Sequence, residues 1–394
     1  MDNTFDDIRP YNDEELREAL KRIGKWELIP QILKFIYPQR PVEESMQRLQ
    51  KVQTVSELQT TFMFDAICRI VSTTTQGFSH SGFDYIRKGK PCLFISNHRD
   101  ITLDAFLLQM LLIERKHDTS YIVFGNNLME TPLLRDLFLS NHLIQMERGG
   151  NPRAFYRSLQ HLSQYLHHLI VDQKHTVWIA QKNGRSKDGI DSTAPAIIKM
   201  LTLGSDGPAE KTLAELNIIP VAVSYEWDPC DLMKANELYH RAHGGYHKVE
   251  GEDTNSVTTG IIGPKGHVHL AIGKPLSSAE IASEGDLAEH VAGVLDRRIQ
   301  KLYKLMPTNY LAYDLLTGTN QHRQHYSAEV KNLFLQRMNQ LPEGECQRIF
   351  MEMYANPVIS ARQLRINTLF VETGLEVEQI DPVGGSREIG IEPA

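Results

Sequence analysis

His98, Asp100 and Asp104 fall within one nine-residue stretch, "SNHRDITLD", between the apolar run "LFI" and the apolar "AFLLQMLL". Histidine is the side chain whose ordinary pKa suits proton transfer near neutrality. A carboxylate within reach would fix its tautomer and stabilise the imidazolium. Either aspartate could be that partner, and Asp100 could instead cap the helix that follows. Cations recur downstream: Arg148 in "LIQMERGG", then Lys182, Arg185 and Lys187 in "QKNGRSKDG". A base beside several cations fits a substrate that carries phosphate and a hydroxyl to be deprotonated.

These residues need elements to bring them together. "PCLFIS", "SYIVFG", "HLIQMER", "HTVWIAQ", "LNIIPVAVSYEW" and "VHLAIGKPL" are short apolar runs bounded by polar residues and are predicted strands. "LDAFLLQMLLIERK" is a predicted helix with Leu103, Phe106, Leu107, Met110 and Leu111 on one stripe, and "PRAFYRSLQHLSQYLHHLIVD" is a longer one. Strands alternating with helices predict an α/β fold: a mixed, largely parallel sheet flanked by helices. Ligands in such folds sit outside the carboxyl ends of strands. The polar clusters after four of the predicted strands share that position, and they include Tyr225-Glu226-Trp227-Asp228.

Residues 1–80 are expected to form a helical unit, with Asn12 capping "DEELREALKRI" and Pro30 shortening or breaking the next helix. The α/β domain is expected over 81–304, followed over 305–394 by a mostly helical extension with a disordered polar tail. The apolar and aromatic residues near Trp26, Ile32 and Phe35 read as core of the helical unit, with an interfacial surface as the alternative.

Composition narrows the function classes. The 394 residues are 41 % hydrophobic and 23 % charged, with a net charge of −7 and a pI near 6.2. Nucleic-acid binders usually carry a basic footprint, so that class is set aside. Cys68, Cys92, Cys230 and Cys346 are scattered, which argues against a disulfide framework or a cysteine zinc site and favours a reducing, cytoplasmic setting. No stretch approaches the ~18 apolar residues of a membrane span. A lipid substrate would be reached from the membrane surface.

The order of the clusters resembles the glycerolipid acyltransferase family, enzymes that acylate glycerol-3-phosphate or lysophosphatidate, over roughly residues 78–280. "SNHRDITLD" is similar to its N-H-x4-D motif, and "HLIQMERGG" to its strand ending in a phosphate-binding Arg, at Arg148. "QKNGRS" stands in the place of a P-E-G-T-R-S turn, with Gly184, Arg185 and Ser186. "IIPVAVSYE" resembles the apolar run around a proline, at Pro220, and "HVHLAIGKPL" the late strand and G-K-P turn. There are two departures. Five residues separate His98 from Asp104 where the family has four, and Asn183 stands in place of Glu.

The resemblance implies His98 as general base and Asp104 as its preferred partner, with Asp100 the rival. It implies Arg148, Asn183, Gly184 and Arg185 around the acceptor phosphate. Acyl-CoA or acyl-carrier protein would be the donor and glycerol-3-phosphate or a lysophospholipid the acceptor, met at the inner face of a membrane. No metal or redox cofactor is called for. The competing readings are a non-catalytic lipid-binding or scaffold protein on the same fold, and a thioesterase-like hydrolase. A protein-kinase reading of "HRD" fails, because Ala105 occupies the place of the required Asn.

Overall fold

The chain is described here from a computed structural model covering residues 4–129, 131–147, 149, 151–364 and 378–380. Arg148 and most of the expected disordered tail lie outside the described residues.

Six strands form where the apolar runs predicted them: β2 (Leu93–Ser96), β3 (Tyr121–Gly125), β4 (Leu143–Met146), β5 (Val177–Ala180), β6 (Ile218–Tyr225) and β7 (Gly266–Ile272). A further strand, β1 (Thr75–Ser81), corrects the expectation of helix up to residue 80. The helix Phe64–Thr74 ends at its last β-branched residue. "TQGFSHS" then pairs parallel with β7 despite its polar composition. Pairing is close there, because a Cβ at Gly77 would sit 2.8 Å from His267 Nε2. A three-residue strand, β8 (Glu378–Ile380), runs antiparallel to β1 within the segment expected to be disordered.

The sheet order is β4-β3-β5-β2-β6-β7-β1-β8. From β4 to β6 all pairs are parallel, and β7 runs antiparallel to β6. The sheet is therefore mixed and largely parallel, with helices on both faces, as the alternation of elements implied. β2 lies near the centre, between β5 and β6. Its carboxyl end, and so His98, is flanked by the loops after those two strands.

Side chains alternate across the sheet with period two. Leu93 and Ile95 join a core with Val177, Ile179 and Ile218 under the helices Pro152–His167 and Leu287–Leu302. Phe94, Trp178, Val221, Val223 and Tyr225 join the opposite core with the helix Leu103–Glu114. That helix does not have the expected single apolar stripe. Every residue from Leu103 to Leu112 is buried, because neighbours cover all of its sides.

Two further apolar clusters flank the sheet. One unites the N-terminal helices, where Asn12 and Glu15 form the capping box that the sequence signalled. The other joins Trp227 to the helices Pro307–Thr317, Ala328–Met338 and Glu345–Gln363. Among the described residues no helix is long and apolar enough to cross a membrane.

Candidate active site

β2 is four consecutive buried apolar or small residues, the pattern of a strand covered on both faces. It stops at Asn97, whose amide takes over the pairing with β6. Val223 N donates to Asn97 Oδ1 at 2.8 Å, and Asn97 Nδ2 donates to Val223 O at 3.0 Å. By the alternation of the strand, His98 then emerges on the side of Trp178, and the two rings meet edge to face at 5.8 Å.

The imidazole Nδ1 lies 2.9 Å from Asp104 Oδ2. Asp104 is the second residue of the helix Leu103–Glu114, where a carboxylate is favoured by the unpaired amides and the helix dipole. The same oxygen accepts from Arg99 N at 2.6 Å and Asp100 N at 3.0 Å, and Oδ1 accepts from the Tyr225 hydroxyl at 2.9 Å. A carboxylate used only as an acceptor makes Nδ1 the protonated nitrogen. Nε2 keeps its lone pair, and among the described residues it makes no hydrogen bond. The histidine side chain is 13 % exposed, whereas Asp104 is 1 % exposed.

Asp100 does other work. Its Oδ1 accepts from Thr102 N at 3.0 Å, Leu103 N at 2.9 Å and the Thr102 hydroxyl at 3.3 Å, a side-chain turn that starts the helix. The five-residue separation of His98 and Asp104 is accommodated by this turn. Burial, and then the nearby Asp104, push the Asp100 carboxyl above its ordinary pKa, while the backbone donors and Arg185 oppose them. The helix Glu252–Ile262 closes over it so tightly that a Cβ at Gly260 would lie 2.3 Å from Asp100 Oδ2.

The loop after β5 is fastened to the same turn. Gln181 N donates to Ser96 O, and Ser186 N donates to His98 O at 2.7 Å. Gly184 has φ +77, a left-handed conformation that suits glycine, and a Cβ there would meet nothing within 4 Å. Asn183 is exposed and Arg185 half-buried. Arg185 makes no ion pair among the described residues, although Asp188 and Asp191 are near in sequence. Asp191 is instead bound by Arg99 Nη2 at 2.7 Å and Asn97 Nδ2 at 3.1 Å.

The other cations expected here are already engaged. Lys187 pairs with Glu237, and Lys182 donates to Ile190 O at 3.1 Å. Arg148, expected to complete the group, lies outside the described residues. A cavity of about 20 Å³ between the loops, bordered by Arg99, Ser186, Lys187 and Tyr225, has room for about one water.

Two side chains that the sequence did not connect with His98 or Asp104 reach the same turn. Tyr225 shares a sheet face with Val221 and Val223, and the period of the strand could have placed it beside His98. Lys234 is on the helix Asp231–Ala242, in a part of the chain whose sequence carried no motif.

Three comparisons with known proteins bear on this geometry. Residues 78–224 match the family model for Acyltransferase. Among solved structures, the 1-acyl-sn-glycerophosphate (LPA) acyltransferase PlsC from Thermotoga maritima is 15 % identical. That match covers 72 % of this chain and 92 % of that chain, with a TM-score of 0.35. No curated protein matches the chain in sequence. The matched segment runs from β1 to the end of β6 and contains His98, Asp104, Gly184 and Arg185. Over that segment the chain is similar to the acyltransferase family, in keeping with the glycerolipid acyltransferase resemblance of its motifs.

Proposed function

We propose that this protein moves a fatty acyl group from a thioester donor, acyl-CoA or acyl-carrier protein, to a hydroxyl of glycerol-3-phosphate or a lysophospholipid such as lysophosphatidate. The observation that carries the reading is the His98–Asp104 pair, with Nε2 making no hydrogen bond among the described residues and with Arg185, which forms no ion pair among them, on the loop fastened to the same turn.

Nε2 takes the hydroxyl proton as the oxygen attacks the thioester carbonyl. The tetrahedral intermediate collapses with cleavage of the C–S bond, and the imidazolium returns the proton to the leaving thiolate. An ester and a free thiol result, and His98 is restored. Asp104 holds the tautomer and stabilises the imidazolium, a division of labour shared with serine hydrolases but without a serine nucleophile. Arg185 binds the acceptor phosphate, where a guanidinium can bond two oxygens at once. Gly184 and Asn183 shape the approach, and Arg148, which follows β4 in the sequence, adds a second cation. The protein would work as a peripheral enzyme at the inner face of the membrane.

The test is free-thiol release from acyl-CoA, with and without each acceptor, for the wild type beside His98→Ala. Acceptor-dependent release that falls about 10²–10⁴-fold in the variant is expected for loss of a general base. Undiminished acylation by His98→Ala would sink the proposal. Release without any acceptor would point to hydrolysis, and lipid binding without release to a scaffold.

A further inference from the structure

One buried cation reaches the His98 turn from outside the segment matched to the family. Lys234, on the helix Asp231–Ala242 between β6 and β7, is 1 % exposed. Its Nζ donates to Arg99 O at 2.7 Å and pairs with Asp228. An ammonium is expensive to bury unless both its charge and its hydrogens are satisfied. Asp228 satisfies the charge, and one of the hydrogens is spent on a single backbone carbonyl of the turn.

That carbonyl belongs to the peptide joining Arg99 to Asp100, and the N–H of the same peptide donates to Asp104 Oδ2. A continuous hydrogen-bonded path therefore runs from Lys234 through one peptide group to the oxygen that accepts from His98 Nδ1. Polarising a carbonyl strengthens the bond made by the N–H of its own peptide, so the links reinforce one another. Lys234 is itself anchored. Tyr354, on the helix Glu345–Gln363, accepts from Asp228 N and donates to Asp231 Oδ2, and Arg337 grips Asp231 at 2.6 Å.

We infer that Lys234 is a positioning residue for the acyl-transfer reaction: it fixes the peptide that orients Asp104, and through Asp104 the tautomer and aim of His98. The inference rests on the proposed function for its kinetic consequence, though not for its electrostatic one. The charged and titratable groups around the pair include Asp100 and Arg99 on the same turn, Asp191 paired with Arg99, Arg185 after β5, Tyr225 and Asp228 at the end of β6, and Lys265. Lys234 adds a positive charge to this set, so its removal favours protonation of His98.

The experiment uses the full chain as Lys234→Met and as the double variant Lys234→Met with Asp228→Asn, which leaves no unpaired carboxylate behind. Both are checked for folding by near-ultraviolet circular dichroism. Two readouts follow: acyl transfer against pH, and the His98 titration by NMR of histidine-labelled protein, assigned with His98→Ala. The expected result is a kcat lower by about tenfold to a hundredfold in both variants, with acceptor and donor KM within about twofold. In Lys234→Met the acid limb of the rate profile and the His98 titration move to higher pH. A folded variant with wild-type kcat and an unmoved titration overturns the inference. The titration needs no turnover, so absence of acyl transfer in the wild type would remove the proposed function while the positioning role is still decided.

Discussion

The Tyr225 hydroxyl donates to Asp104 Oδ1 at 2.9 Å, while His98 bonds the other oxygen of the same carboxylate. The acid is thus held from both sides, by the end of one strand and by the turn after its neighbour. Burial and the adjacent Asp104 keep the phenol well above its ordinary pKa, so it serves as a donor throughout the working range. Tyr225→Phe removes one hydrogen bond and leaves the ring in place. A kcat lower by about threefold to tenfold is expected, from a bond worth about 1 kcal/mol, with the melting temperature little changed. Steady-state kinetics beside a thermal melt checks this.

Asp100 gives a pH signature of opposite character. Its folded-state pKa is raised, so the folded form holds the proton more tightly than the unfolded chain does. Its contribution to stability is complete below the ordinary aspartate pKa and is lost as pH rises through the elevated value. Asp100→Asn keeps the oxygen that accepts from Thr102 and Leu103 and cannot ionise. The variant should melt higher than the wild type at pH 7 to 8, and the gap should close as the pH is lowered towards 4. A gap that does not change with pH would contradict this assignment.

Two glycines of the same loop should respond differently to alanine. Gly184 and Gly189 both have positive φ, +77 and +78. A Cβ at Gly184 meets nothing within 4 Å, whereas one at Gly189 would sit 2.0 Å from Met353 O. Gly184→Ala should cost about 1 kcal/mol, the backbone strain alone. Gly189→Ala adds a collision with main chain and should cost about 3 kcal/mol or more. Urea unfolding of the two variants tests the ranking.

What the sequence disclosed depended on how local the relationships were. His98, Asp100 and Asp104 form a turn and the first turn of a helix, so their types and spacing marked a candidate site that local geometry could assemble. Which aspartate meets the imidazole depended on where the helix begins. Asp100 starts it at Leu103, and Asp104 is thereby turned towards the histidine. β1 escaped notice because its polar "TQGFSHS" lacks an alternating apolar signal and owes its state to β7. Lys234 lies 135 residues from its partner in the turn and no local pattern reports that pairing, whereas Tyr225, 121 residues from Asp104, stood in a polar strand-end cluster that did not name its partner. The cations were legible as residue types, but their engagement was not. Lys187 looked available for a ligand and is paired with Glu237 on a helix that the motifs did not mark.

The seat of Gly189 against Met353 has a consequence for how the protein is made. Asn356 Nδ2 donates to Asp188 O at 2.6 Å across a separation of 168 residues, beside that seat. While the ribosome is still translating the residues between, β2 and β5 can pair, yet the Arg185 loop lacks the seat that Met353 and Asn356 provide. The loop acquires its final support only after the helix Glu345–Gln363 has left the exit tunnel. Synthesis therefore finishes most of the sheet, and the partners of His98 with it, well before the last support of the Arg185 loop can form, so that a nascent chain stalled before that helix would hold the His98 turn beside a loop not yet seated.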